Sequence, residues 1–162
     1  MPHVVRSIAH KAGHTVRNSQ RWEYQTGMVD SVSSSRRSEI MSRIRAKDTK
    51  PELTVRRMVH GMGYRYRLHR RDLPSTPDMV FPGRRKIILI HGCFWHHHEA
   101  CPAGRIPKSR RKFWTEKLQG NARRDQRNLV ALRKLGWKVL VVWECDLARL
   151  DRLASRIQKF LQ

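Results

Sequence analysis

Between His91 and Cys101 the chain reads His-Gly-Cys-Phe-Trp-His-His-His-Glu-Ala-Cys. This segment puts two thiols and four imidazoles within reach of one another. The third cysteine, Cys145, follows the apolar run Val139–Trp143. An odd number of cysteines, two of them among histidines, reads as a metal site and not as a disulfide framework. Thiolates with an imidazole in a tetrahedral set are the donors that Zn²⁺ favours. The expected zinc ligands are Cys93, His98, Cys101 and Cys145, with His96 and His97 as alternatives for the imidazole. A closed four-ligand zinc is structural, because it leaves no position for water. Catalysis must then come from neighbouring residues.

Three places offer it. Asp78 follows Thr76-Pro77 and opens an expected strand whose hairpin partner ends at Ile90-His91. A carboxylate there can hold Mg²⁺, which needs only one or two protein oxygens beside water and phosphate oxygens. A simple Pro-Asp turn is the competing reading. His91 and His96 can take or donate a proton near neutral pH. Glu52 shares a helix face with Val55 and Val59, so it borders the buried side. A favourable interaction with the helix dipole is the plainer account of that carboxylate.

The elements that must position these groups are short. The 162 residues suffice for one domain. Residues 1–35 are polar and Ser-rich, without hydrophobic period, and are expected to form a disordered leader before a single domain over 36–162. Basic residues alternate with Ile40, Met41 and Ile44 between Arg36 and Lys47, giving a basic helix that carries Arg43 and Arg45. Asp48 or Thr49 can cap a second helix, with Pro51 in its first turn and Gly63 at its end. Tyr64–His69, Asp78–Phe81 and Lys86–Ile90 read as strands, the last two joined by the turn 82–85. A helix is expected from Phe113 to Leu135, with an interruption near Gly120. Val139–Trp143 reads as a buried strand and Asp146–Leu161 as an amphipathic helix. The step from Ile87–Ile90 through the long helix to Val139–Trp143 is a parallel crossover. The fold class is therefore α/β, with a small central mixed sheet flanked by helices.

Charge names the partner class. Lys and Arg number 35 against 13 Asp and Glu, a formal net charge of +22. The leader holds four basic and two acidic residues, so nearly all of this excess lies in the remaining 127. Such a domain repels itself unless a polyanion relieves it. Nucleic acid is the expected partner, because each neutralised phosphate releases counterions. No apolar run is long enough to span a membrane, and no basic helix with a broad apolar face suggests a membrane surface.

Six blocks now align with a known family. They are Met41–Glu52 (MSRIRAKDTKPE), Ser75–Val80 (STPDMV), His91–Cys101 (HGCFWHHHEAC), Phe113–Lys117 (FWTEK), Asn121–Asp125 (NARRD) and Leu135–Leu147 (LGWKVLVVWECDL). On these the chain resembles the Vsr endonucleases of very short patch mismatch repair. The resemblance implies a restriction-endonuclease-like core with a structural zinc. It implies a Mg²⁺-dependent, single-strand cut on the 5′ side of the thymine in a T:G mispair, which arises when 5-methylcytosine deaminates. Asp78 and the main-chain carbonyl of Ile90 would hold Mg²⁺, His96 would activate water, His91 would assist at the phosphate, and Glu52 would orient a metal-bound water. Zinc would sit on Cys93, His98, Cys101 and Cys145. The family's best-known member has Thr where this chain has Ile90, a change that a backbone ligand survives.

DNA contact is expected from several sites. By residue type, Phe94 and Trp95 could be either core or a wedge between base pairs, where unstacking costs a few kcal/mol. The resemblance makes Phe94, Trp95 and Trp114 such a wedge. Arg43, Arg45, Lys117 and Asn121 are assigned to DNA as well, and Trp137 and Trp143 to the core. The resemblance further implies a bacterial cytoplasmic enzyme, nucleoid-associated when bound to DNA, acting as a monomer with a loose link to mismatch-repair proteins. Two rival readings are a zinc-stabilised DNA-binding module without catalysis and a nuclease of the same fold with different specificity.

Overall fold

Thr49 begins the first described helix. Its backbone is extended, and its hydroxyl accepts from the Glu52 N–H, while Pro51 occupies the first turn. This helix, α1, spans Lys50–Gly61. The computed structural model describes residues 47–162 together with Ser33, Ser35, Arg36 and Glu39. The expected leader and the basic helix with Arg43 and Arg45 therefore lie almost wholly outside the described residues.

The segment after α1 does not form the strand expected over Tyr64–His69. It makes a single antiparallel bridge, with Arg67 and Val80 exchanging both backbone hydrogen bonds (2.8 and 2.9 Å). His69 then adopts a left-handed φ of 46°, which turns the chain away. The alternation itself survives, since Tyr64 and Tyr66 pack on the core and Arg65 and Arg67 are exposed.

Strands β1 (Met79–Phe81) and β2 (Lys86–His91) pair antiparallel. The short link between them is a 3₁₀ turn over Pro82–Arg84, closed by Arg85 in the left-handed region. Helix α2 spans Arg111–Lys134 without the interruption expected at Gly120. A glycine costs about 1 kcal/mol in a helix interior, too little to break one of this length. Gly136, with φ of 78°, ends the turn into β3 (Lys138–Trp143). A 3₁₀ turn over Glu144–Ala148 leads to α3 (Leu150–Leu161), so the last α-helix starts later than the expected Asp146.

The sheet order is β1-β2-β3, with β2 and β3 parallel. The mixed sheet and the crossover through α2 are as expected. β3 is not the buried strand anticipated, because it lies at an edge and only Val142 in it is buried. β2 is central and buried on both faces. Ile88 and Ile90 join Val55, Val59, Leu153, Ile157 and Leu161 of α1 and α3 on one face. Ile87 and Leu89 meet Leu132 and Trp137 on the other, where α2 runs. Period-two alternation thus sorts the helices into two layers. The odd-numbered ends of β2 and β3, His91 and Trp143, face the α2 layer.

Two substitutions test this arrangement. Ile157 is fully buried, and Ile157→Ala is expected to cost about 2–5 kcal/mol by transfer and cavity terms. A Cβ on Gly120 would meet nothing within 4 Å, so Gly120→Ala is expected to stabilise by about 0.5–1 kcal/mol. Urea midpoints measure both.

Candidate active site

Four donors converge at one end of the sheet. Sγ atoms of Cys93, Cys101 and Cys145 and a ring nitrogen of His98 all lie within 4.8 Å of one another. His98 Nδ1 is 3.6 Å from Cys93 Sγ and 3.5 Å from Cys145 Sγ. A tetrahedral cation with bonds of about 2.3 Å to sulfur and 2.0–2.1 Å to nitrogen requires an S···N separation of about 3.6 Å. The donors are thus spaced as such a site needs. The sulfurs form no disulfide. Burial pushes the Cys93 thiol far above its ordinary range and raises Cys145 too, so a cation must displace protons to bind. Of the three consecutive histidines, His98 is the one presented to the sulfurs. His97 has a left-handed φ of 49° and its Nδ1 lies 3.8 Å from Glu99.

The loop is shaped by its own backbone. His96 N–H donates to Gly92, His98 N–H to Cys93, and Cys101 N–H to His98. Gly104 seats against it, and a Cβ there would overlap the His98 carbonyl and main chain. Glu144, beside Cys145, accepts from the Cys93 N–H (3.3 Å).

A second cluster adjoins the first. His96 Nδ1 is 2.6 Å from Asp125 Oδ2, and the rings of His91 and His96 stack at 3.8 Å with 8° between planes. A carboxylate on Nδ1 holds the N–H there and leaves Nε2 as the ring's acceptor. His91 is held down to about 4, first by burial and then by the neighbouring His96 whenever that ring carries a proton on both nitrogens, so it is neutral at physiological pH. Sequence reasoning gave Asp125 no role. The signal was present, since Trp114, Lys117, Asn121 and Asp125 recur at helical spacing on one face of α2.

Asp78 stands where β1 begins. Its Oδ2 accepts from the Ile90 N–H at 2.7 Å. The N–H and C=O of one strand residue project from the same edge. The Ile90 carbonyl therefore faces the β1 side, beyond Met79, which pairs with Ile88. Two oxygens of different elements thus share one edge, a donor set suited to a hard divalent cation. Burial raises Asp78 to about 6, helped by the Glu52 charge and opposed by the Ile90 N–H, Arg56 and His96.

Glu52 is 5% exposed and tightly held. Oε1 accepts from the Thr49 hydroxyl (2.9 Å), and Oε2 from the Asp48 N–H (3.0 Å) and Arg56 (2.8 Å). Arg56, itself 7% exposed, also reaches Asp48 (2.5 Å) and His69 (3.2 Å). The arginine was not singled out from sequence, where it looked like one more basic residue on a helix. It supplies positive charge beside Asp78 and Glu52.

Phe94, Trp95 and Trp114 form one cluster, with ring centroids 5.1–6.3 Å apart and Phe113 added 5.2 Å from Trp114. Trp114 is buried and floors the cluster, whereas Phe94 and Trp95 are partly exposed. Lys117 Nζ lies 5.8, 5.6 and 5.7 Å from the rings of Trp95, Phe113 and Trp114. Asn121 donates to the Trp95 carbonyl (3.0 Å), tying α2 to the loop. Trp143, assigned to the core from sequence, is only half-buried and lies between the two histidine clusters.

Comparison of the sequence with known proteins matches it to one family. The family model of the DNA mismatch endonuclease Vsr matches residues 29–102. The Type II nicking enzyme V.XorIIP of Xanthomonas oryzae pv. oryzae is 49% identical over 134 residues, 83% of this chain and 98% of its own. The chain belongs to the Vsr endonuclease family. The Type II nicking enzyme V.NmeAIP of Neisseria meningitidis is 42% identical over 138 residues, 81% of this chain and 98% of its own. The DNA mismatch endonuclease Vsr of Escherichia coli K12 is 40% identical over 128 residues, 79% of this chain and 81% of its own. Membership makes this Vsr-family chain a hydrolase of the DNA endonuclease class, and the rival reading of a non-catalytic binding module is set aside. Among the described residues no helix is long and apolar enough to cross a membrane.

The raised Asp78 predicts a pH effect on stability without added Mg²⁺. The folded state keeps a proton up to about pH 6 that the unfolded chain loses near its ordinary value, so stability falls as pH rises through that window and stays lower above it. Asp78→Asn carries no such penalty and can still accept from Ile90. It is expected to be more stable than the parent by about 1–3 kcal/mol at pH 7.5, with the gap closing near pH 4. Urea unfolding at the two pH values measures this.

Proposed function

We propose that this protein cuts one strand of duplex DNA on the 5′ side of the thymine in a T:G mispair, with Mg²⁺ at Asp78 and Ile90 and zinc on Cys93, His98, Cys101 and Cys145. The observation that carries this reading is the His96–Asp125 pair beside Asp78, at the same sheet end as the aromatic cluster. A general base, a cation edge and stackable rings then face one substrate. The names of the relatives, nicking enzymes and a mismatch endonuclease, support the same substrate class.

In this reading Mg²⁺ supplies charge neutralisation at the scissile phosphate and leaving oxygen. Everything else is done by the chain. Asp125 orients His96, whose Nε2 takes a proton from the attacking water. His91, kept neutral by burial, contacts the phosphate without adding charge. Glu52, held by the Asp48 and Thr49 cap and by Arg56, presents a fixed carboxylate that orients water near Asp78. Phe94 and Trp95 enter beside the mispair, where unstacking is least costly, over the floor of Trp114. Lys117 and Asn121 line that approach, and Arg43 and Arg45 track the backbone. The protein acts in the bacterial cytoplasm as a single domain over residues 36–162, as a monomer loosely linked to mismatch-repair proteins.

The test uses a duplex with one T:G mispair in a CC(A/T)GG-derived site, beside its matched counterpart, with Mg²⁺. A nick confined to the thymine strand of the mispaired duplex is expected, and His96→Ala is expected to lower the rate about 10²–10⁴-fold. Equal cutting of both duplexes overturns the specificity and favours a same-fold nuclease of other specificity. Strong chelation of zinc is expected to unfold the domain, whereas omitting Mg²⁺ leaves it folded. Circular dichroism reads this directly, and a fold indifferent to the chelator sinks the structural-zinc assignment.

A further inference from the structure

We infer that Trp143 is a positioning residue that couples the Cys/His cluster to the histidines of the reacting centre. The inference rests on His91 and His96 acting at that centre, as proposed above. The indole lies parallel to the His98 ring, at 4.1 Å and 4°. It also meets His91 in a T-shaped contact, at 5.3 Å and 77°. His91 stacks on His96 (3.8 Å, 8°), and His96 Nδ1 reaches Asp125 (2.6 Å). Ring contacts thus run unbroken from the three sulfurs to the carboxylate on α2.

Each link removes a freedom that the others leave. The hydrogen bond to Asp125 fixes one nitrogen of His96 but leaves its ring free to turn about that axis. The stack on His91 fixes the plane. The plane of His91 is in turn set by the edge contact with Trp143. The indole is clamped by His98, whose Nδ1 faces Cys93 and Cys145 at 3.6 and 3.5 Å. Backbone bonds from His96 to Gly92 and from His98 to Cys93 hold the loop's main chain, but they do not orient imidazoles. The parallel register that sets His91 beside Trp143 makes this chain of contacts possible.

The experiment uses the full-length, zinc-loaded protein with Trp143→Leu, Trp143→Phe, His96→Ala and, as a control, Trp137→Phe, a buried residue of the α2 layer. Nicking kinetics on the mispaired duplex, bound zinc, thermal unfolding and the NMR signals of the histidine rings are measured. A misplacement of about 1 Å can cost about 100-fold in rate. Trp143→Leu is therefore expected to lower kcat about 100-fold with KM within about threefold, and to displace the His91 and His96 ring signals while zinc is retained. Trp143→Phe, still a flat ring, is expected to recover about tenfold of that loss. Trp137→Phe should leave kcat within about twofold, as it touches neither cluster.

The coupling alone fails if His96→Ala is slowed as expected while Trp143→Leu nicks at the parent rate. It also fails if kcat, KM and thermal stability of Trp143→Leu decline together with unmoved histidine signals, since that is ordinary core damage. If His96→Ala nicks at the parent rate, the reading and the coupling both fall. Should Trp143→Leu not fold, Trp143→Phe decides. Displaced His91 and His96 signals with lowered kcat support the coupling, and unmoved signals overturn it.

Discussion

The parallel pairing of β2 with β3 sets Ile90 opposite Val142 and His91 opposite Trp143. That register brings the ends of the two strands, and the loops that leave them, side by side. Ile90 turns its polar main chain toward Asp78, and His91 turns its ring toward α2. One residue further along each strand the chain leaves the sheet, carrying Cys93 on one side and Cys145 on the other. A slip of one residue would send His91 to the opposite face, since strand side chains alternate. The two apolar layers resist that slip, because Ile88 and Ile90 would exchange places with Ile87 and Leu89 and meet the wrong helices.

Positive charge is used at two scales. Over the whole chain it favours a polyanionic partner. At the site a single buried guanidinium, Arg56, lies between Asp48, Glu52 and His69. Buried carboxylates are costly without a partner, and Asp78, whose cationic neighbours act only at longer range, is raised accordingly. Glu52 keeps both oxygens engaged. The two carboxylates therefore differ in kind, one fixed by hydrogen bonds and one available to a cation.

Much of this was legible in the sequence because local chemistry and tertiary placement agree. Thr49, Pro51 and Glu52 announce a helix start, and the unbroken apolar run Ile87–Ile90 suits a strand with two buried faces. The cysteine spacing pointed to a metal cluster. What was not legible depends on partners distant in sequence. Nothing in Tyr64–His69 reveals that Arg67 alone forms a β-bridge there, or in Val139–Trp143 that the strand is at an edge. Nothing in Val-Trp-Glu-Cys shows that Trp143 lies against two histidines 45 and 52 residues away. Asp125 was hidden by its basic neighbours, although its helical phase with Trp114 and Asn121 marked it.

The order in which the ribosome delivers the four sulfur and nitrogen donors gives the fold a direction in time. Cys93, His98 and Cys101 emerge together, while Cys145 comes after all of α2 and β3. An unfinished chain has three donors, no neighbour for the parallel edge of β2, and no indole against His91. The four-donor cluster and the contact of Trp143 with His91 can therefore be completed only when the end of the chain has been added.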